Sequence, residues 1–303
     1  MTQTNKHSRK RHTMQAHNCA PVVLFAFNRP SHLERTLEAL ANNDLAADTH
    51  LHIHIDGPRS ANDIPSIVGC AKIAARPWKF ATVKTQVRDS NQGLAASIIS
   101  GVTAMLEQYG RVIVVEDDLV TSRYFLQYMN DGLTTYADEH RVASIHGWCF
   151  PHAVQDPPET FFLRGADCWG WATWQRAWNY FEPDSGILLK RLADAGLNSA
   201  FDVGDSYPYV RMLQDQHAGR VNSWAIRWHA ATFLENMYTL NPGRSLVHNI
   251  GIDGSGTHCG TTHMLDMTLA DTPIRVERQP VLTNIRMNAA HRTSLRHTYG
   301  NNP

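Results

Sequence analysis

Val112-Ile113-Val114-Val115-Glu116-Asp117-Asp118 is the stretch that decides the fold. A run of β-branched residues that stops on three carboxylates is the pattern of a parallel strand, buried on both faces and leading into a site. In open α/β sheets ligands gather at the carboxyl ends of the strands, where acidic side chains can hold a hard cation against a diphosphate. Three adjacent carboxylates also repel one another, and a divalent ion is a common relief of that repulsion. Taken alone, the tripeptide also fits a solvated charge cluster at a strand-to-loop junction, so its neighbours must carry the claim.

Upstream, Pro21 opens the apolar run Val22–Phe27, which suits a central strand and is broken by Asn28-Arg29-Pro30. Ser31-His32-Leu33-Glu34 has the spacing of a capping box, and Leu33, Leu37 and Leu40 recur as one face of a helix. Leu51–Ile55 alternates strictly and runs into the turn residues Asp56-Gly57-Pro58. A helix over 62–75 and a strand over 81–88 follow. Asn91 is placed to cap a helix whose face is Leu94, Ile98, Val102 and Met105. The order β-α-β-α-β-α-β before residue 116 predicts an α/β fold with a mostly parallel sheet and crossover helices.

In such a sheet the strand ends share one edge, so Asn28-Arg29, Asp56 and Glu116–Asp118 are expected to converge on one crevice. The chemistry this suggests is recognition of a nucleoside diphosphate. Asp56 would accept from a base N–H or a ribose hydroxyl, and a metal at Asp118 would neutralise the diphosphate. A GxxxxGK[ST] loop and a GxGxxG fingerprint are both missing, which removes the two commonest nucleotide-binding alternatives.

The chain has 303 residues, enough for one large α/β domain or two modest ones. Lys+Arg and Asp+Glu both number 28, so no global charge points to nucleic acid. Residues 1–20 read as a disordered tail carrying Lys6, Arg9, Lys10 and Arg11; a contact with anionic membrane is the sharper reading of that cluster. The tail lacks the apolar core of a signal peptide, and no window approaches the ~20 apolar residues of a membrane span. Five widely spaced cysteines without a CxxC pair argue against a disulfide framework or zinc cluster and for a reducing cytoplasm. The second half is rich in Trp, Tyr, Pro and Gly, with helices expected at 173–182, 186–195 and 207–217. A strand and a polar loop are expected over 236–256, and a surface-wrapping tail at the end.

With these residues in view, the chain resembles glycosyltransferases of the Rossmann-like GT-A fold, both the bacterial family 2 members and the N-acetylglucosaminyltransferase I group. The likeness rests on PVVLFAFNRPSHLERTLEAL, HIHIDGPR, DSNQGLAASIISGV, VIVVEDDLVTSRYFLQYM and GADCWGWATWQRAW, in that order over roughly 21–180. It implies a transferase domain over 21–260, with a nucleotide-sugar half at 21–120, an acceptor-side half at 121–260, and an extension at 261–303. It further implies a nucleotide-sugar donor, a UDP-sugar before others, bound with Mn²⁺ or Mg²⁺. Asp118 would be the direct metal ligand, and Glu116 and Asp117 would contact ribose and donor sugar. Phe27, Asn28, Arg29 and Asp56 would meet the base, and Asn91, Gly93 and Leu94 would lie against the nucleotide-sugar.

Trp169-Gly170-Trp171 resembles the family's glycine-aromatic loop beneath the donor and acceptor sugars, and Asp167 before it can hydrogen-bond a sugar hydroxyl. Trp174 and Trp178, at helical spacing, read as core. The family's catalytic carboxylate has no counterpart in Asn222–Trp228; Asp215 upstream and Glu235 downstream are the candidates, and a retaining enzyme without a dedicated base is the alternative. In the later glycine-rich loop, Arg244 can lend charge to a phosphate and His258 can supply a third metal ligand. The expected enzyme is a cytoplasmic, bacterial glycosyltransferase, possible also at the inner membrane face. It would build surface polysaccharide on a glycan or lipid-linked glycan acceptor. A nucleotidyltransferase making nucleotide-sugars and a catalytically inactive glycan-binding scaffold are the competing classes.

Overall fold

The structure, a computed structural model, describes residues 19–254, 265 and 267–299. The predicted basic tail therefore lies almost wholly outside the described residues, as does His258. Cys19 and Ala20, assigned to that tail, are instead buried, and the Ala20 N–H donates to Asn130 Oδ1 at 2.8 Å.

The first half follows the predicted order: β1 (Val22–Ala26), α1 (Pro30–Ala41), β2 (His50–Ile55), α2 (Ile64–Ala74), β3 (Thr82–Val87), α3 (Leu94–Tyr109) and β4 (Arg111–Glu116). There follow β5 (Leu119–Thr121), α4 (Phe125–Thr135), β6 (Val142–His146), β7 (Thr160–Arg164), β8 (Trp171–Trp174) and α5 (Gln175–Trp178). Helices α6 (Ser185–Asp194), α7 (Asn198–Phe201), α8 (Tyr209–His217) and α9 (Trp224–Leu234) lead to β9 (Tyr238–Pro242), β10 (Val247–Asn249) and α10 (Ile285–Tyr299).

Eight strands form one sheet in the order β3-β2-β1-β4-β8-β6-β9-β7, and β10 pairs with β5 in a small second sheet. Only β8 and β7 run against the other strands of the large sheet. The result is a mixed, mostly parallel sheet flanked by helices, the Rossmann-like α/β class expected from the sequence. From β1 the chain winds outward to β3, then returns to place β4 on the other side of β1. The ends of β1 and β4 therefore form the topological switch point where ligands of such sheets bind.

Burial explains the uninterrupted apolar runs. Val22 and Leu24 of β1 and Ile113 and Val115 of β4 pack on the face covered by α1 and α2. Val23, Phe25, Val112 and Val114 pack on the face covered by α3 and a tryptophan cluster. Both faces are buried, so β1 and the run Val112–Val115 of β4 are apolar throughout, and charge enters β4 only at its ends, Arg111 and Glu116.

Several local expectations yield to tertiary context. Helix α1 starts at Pro30 itself, with Arg29 at the N-cap and no side-chain cap, so Ser31 and Glu34 form no capping box there; proline favours the first helical turn because its missing N–H has no partner there anyway. Asn91 does not cap α3, whose N-cap is Gly93 with φ +79°. Of the predicted helix over 173–182, Gln175–Trp178 is helical, but Thr173 and Trp174 belong to strand β8. Ala172 and Trp174 share one face of β8 and Trp171 the other, a period of two, and β4 and β6 hydrogen-bond on either side. Helix α9 was not expected, nor was α10. The latter turns Met287 and Leu295 inward with His291 midway between them, which dilutes its apolar signal. Ile274–Val281 forms no strand. Among the described residues no helix is long and apolar enough to cross a membrane.

Gly57, after β2, lies flat against the Ser90 backbone, and a Cβ there would overlap it. Gly57→Ala is expected to force these two strand-end loops apart and to destabilise the protein by about 2 kcal/mol, read as a lower urea midpoint with an unchanged slope.

Candidate active site

The acids at the end of β4 meet the end of β1. Arg29 reaches across the switch point, its Nη2 paired with Asp117 and lying 2.8 Å from Asp118 Oδ2. Asp117 turns inward: its other oxygen accepts from the Phe27 N–H at 3.4 Å, and its carbonyl accepts from Thr36 Oγ1 of α1 at 2.7 Å. Glu116 lies beside Phe25 in register. Burial first, then Asp118 and Asp117, push its carboxyl up to about 8. Burial also raises Asp117, against the pull of Arg29. The repulsion foreseen in the tripeptide is thus relieved by one guanidinium, and what remains of it contributes to the raised carboxyl of Glu116.

Arg29 Nη1 is buried without a hydrogen-bond partner among the described residues. Gly251 lies alongside it, where a Cβ would overlap Asp118 Oδ2 and sit 3.1 Å from Arg29 Nη1. A buried donor with nothing to donate to, beside a cradle kept open by glycine, fits an anion such as a phosphate oxygen. Asp118, with Glu116 next to it, fits the open mode of binding Mn²⁺ or Mg²⁺, in which one or two carboxylates hold the ion and substrate phosphates complete its shell. Among the described residues no three His, Cys, Asp or Glu side chains form a preformed cage.

Asp56 is buried and fully engaged. It accepts from the N–H groups of Gly57 at 2.9 Å, Gln92 at 2.9 Å and Gly93 at 2.8 Å, and from Asn91 Nδ2 at 3.0 Å. The expectation that it meets a base or ribose needs correction: both oxygens are spent tying the end of β2 to the loop before α3. Asn91 and Gly93 meet Asp56 in this way, and Leu94 opens α3 half-exposed. Phe27 carries the Arg59 guanidinium 4.6 Å over its ring, and Asn28 donates to Asp63 at 2.8 Å. These groups line the rim of the crevice beside Arg29.

The segment 165–170 leaves the outer strand β7 and crosses β9 and β6 to reach β8. The crossing lays Asp167 over His146 and Trp169 against Trp148, whose ring centroids are 4.8 Å apart at 74°. Beneath it opens a cavity of about 310 Å³, lined among others by Trp148, Asp167, Trp169, Tyr209, His229 and His291. The wall nearest the acids is the chain after β10. Gly251 touches Asp118 and Arg29, and the next residue, Ile252, lines the cavity. The acid cluster and the aromatic cavity are therefore joined by the consecutive residues Gly251 and Ile252.

Other predicted residues lie elsewhere. Trp171 is fully buried, stacked on Trp224 at 5.2 Å, so it belongs to the core and not to a sugar platform. Gly170, with φ +66°, permits the tight entry into β8 beside Val247. Asp215 on α8 is held by Arg220 and by Arg211 at 3.3 Å, which keep its carboxyl below the usual range, and it does not line the cavity. Glu235 pairs with Arg191 at 2.7 Å, also outside the cavity lining. Arg244 binds Thr272 Oγ1 at 2.5 Å and Glu159 at 3.4 Å, away from Arg29 and its acids. His146, Trp148, His229 and His291 escaped the sequence reading, because lone histidines and tryptophans carry no spacing that marks a site.

No protein-family model matches the chain, and no curated protein matches it in sequence. Among solved structures, Staphylococcus aureus TarS, a glycosyltransferase, is 15% identical with a TM-score of 0.29, over 47% of this chain and 24% of that one. A Bacillus anthracis protein assigned as a glucose-1-phosphate thymidylyltransferase is 12% identical with a TM-score of 0.33, over 54% of this chain and 75% of that one. The chain thus spans about a quarter of the length of TarS. At such scores neither likeness bears on activity, and neither singles out the N-acetylglucosaminyltransferase I group.

Burial pushes the cavity histidines His146 and His229 down, and His291 to about 4, below the ordinary 6.5. A histidine kept neutral in the fold adds stability above its unfolded pKa, and that stability is lost as pH falls toward the folded value. The cavity histidines therefore contribute a loss of stability on acidification from pH 7 to pH 5, against an opposite contribution from the raised carboxyls of Glu116 and Asp117. Replacing the ring in His291→Phe should remove its share of that loss, up to about 1 kcal/mol of pH dependence per unit, read from the melting temperature across this range.

Proposed function

We propose that this protein is a metal-dependent glycosyltransferase that moves a sugar from a nucleotide-diphosphate-sugar to a hydroxyl of a glycan or lipid-linked glycan. One observation carries the reading: the acid cluster at the sheet's switch point and an aromatic, hydroxyl-lined cavity share the Gly251-Ile252 wall. A group-transfer enzyme for sugars needs these two loci side by side, one for a diphosphate and one for a carbohydrate ring.

The roles follow from the chemistry of each group. Arg29, with its unpartnered Nη1–H, donates to a diphosphate oxygen, a charge-assisted bond in a largely dry setting. Asp118 with Glu116 holds Mn²⁺ or Mg²⁺, which when bound neutralises charge on the leaving diphosphate. Asp117, tied to Arg29 and to the Phe27 N–H, keeps the ends of β1 and β4 in register. Asp56 fixes the loop 91–93 that walls the donor side. Trp148 and Trp169 offer apolar ring faces to sugar C–H groups, and Asp167 accepts from a hydroxyl. A nucleotidyltransferase of similar sheet would need a glycine-rich, basic loop after β1. Here Asn28-Arg29 leads directly into α1 at Pro30.

A thermal-shift panel of UDP-, GDP- and dTDP-sugars, each with Mn²⁺ or EDTA, tests this. At least one nucleotide-sugar is expected to raise the melting temperature by about 3 °C or more with Mn²⁺ at saturation, and Asp118→Asn should abolish the shift while melting near the wild-type temperature in EDTA. An equal shift in Asp118→Asn would remove that residue from the site.

A further inference from the structure

We propose that Asp167 is the general base that takes the proton of the acceptor hydroxyl, held in position by His146, so that transfer inverts the anomeric configuration. The proposal rests on the glycosyltransferase reading above and supplies the base that reading lacks.

Among the described residues lining the cavity Asp167 is the only carboxylate. The two acids favoured by sequence, Asp215 and Glu235, are tied to arginines and line none of it. Asp167 has the two properties that a base needs, a fixed orientation and an open side. Its Oδ1 accepts the Cys168 N–H at 2.8 Å. Its Oδ2 lies 3.8 Å from His146 Nδ1, which is itself 3.3 Å from Asn241 Oδ1. His146 is 1% exposed at the end of β6, and Asn241 is buried in β9, so the support beneath Asp167 is built into the sheet. Asp167 nonetheless keeps 45% of its side chain exposed, where it lines the cavity beside Trp169. Sites supported from rigid strands hold a reacting group more closely than loops alone can.

The surrounding charge suits the role. His146 from β6, His229 from α9, His291 from α10 and Tyr209 from α8 face Asp167. Burial opposes its ionisation, but His146, the Cys168 N–H, His291 and His229 outweigh it and hold the carboxyl below the usual range. Asp167 is thus the ionised acceptor in the cavity at pH 7.

In the step, the acceptor hydroxyl oxygen attacks the anomeric carbon of the donor and forms the new C–O bond. The bond from that carbon to the diphosphate breaks, its electron pair passing to the diphosphate oxygen, and the hydroxyl proton moves to an Asp167 oxygen. A single displacement from the face opposite the leaving group inverts that carbon.

The test measures nucleotide release and product anomer by NMR, with the UDP-, GDP- and dTDP-sugar panel, Mn²⁺, and para-nitrophenyl glycosides as acceptor probes. Asp167→Asn is expected to lower kcat by about 100-fold or more with donor KM unchanged, and the wild-type product is expected to be inverted. His146→Phe, which removes the imidazole nitrogen beneath Asp167, should lower kcat less and shift the acidic limb of the pH–rate profile upward. A purely structural histidine would leave that limb in place, and it provides the second readout should Asp167→Asn fold poorly. Wild-type kcat in Asp167→Asn, or a retained anomer, overturns the base assignment alone. No turnover of any nucleotide-sugar by the wild type overturns the transferase reading and the base with it.

Discussion

One guanidinium among three carboxylates is the constraint on which this structure depends. Arg29 closes the gap between β1 and β4 at the point where the winding of the sheet reverses, and it neutralises Asp117 and Asp118 in a setting where Asp117 is nearly sealed from water. Leaving either partner alone there would strand a buried charge, a penalty of about 3–5 kcal/mol, so the strand ends are held in register by necessity. The same arrangement is incomplete in a way that suits a ligand. Among the described residues Arg29 keeps one N–H unanswered, burial holds the Glu116 carboxyl high, and Gly251 leaves the space beside them open.

From that point the rest of the crevice is placed by connections that cross the sheet. The strand pair β5–β10 carries Gly251 to Asp118, and the following Ile252 to the cavity. The 165–170 segment crosses two strands to set Asp167 on His146. Helix α10 returns from far along the chain to lay His291 over Phe150 at 4.7 Å and Tyr299 against Tyr207 at 4.8 Å, closing the far wall. A site assembled from β1, β4, β6, α9 and α10 has its rigidity in the sheet and its shape in the loops and in the last helix.

Some residue types were informative because their chemistry admits one use. The β-branched run into Glu116–Asp118 was legible because a strand buried on both faces must be apolar at every position. Asp56 was legible as a buried, purposeful acid but not in its partners: whether a carboxylate meets a ribose or three backbone N–H groups depends on where the 91–93 loop comes to lie. Trp171 misled for a related reason. An aromatic beside a glycine fits a sugar platform and a core equally, and only the stacking of Trp224 against it decides. Trp174 and Trp178 sit four apart, as in a helix, yet β4 and β6 on either side draw the first of them into a strand.

The amino-acid sequence alone determined the parallel core, its alternation of strand and helix up to β4, and the gathering of Asn28-Arg29 and three acids at one edge. Those features follow from local periodicity and from the rule that parallel strands share an end. Tertiary structure alone decided that Arg29, and not only an ion, neutralises the acids, and that Asp167 and not Asp215 lies in the aromatic cavity. It also decided that the last helix walls that cavity. Each of these is a contact between residues dozens of positions or more apart, set by where packing brings the chain back upon itself, and no local pattern encodes such a meeting.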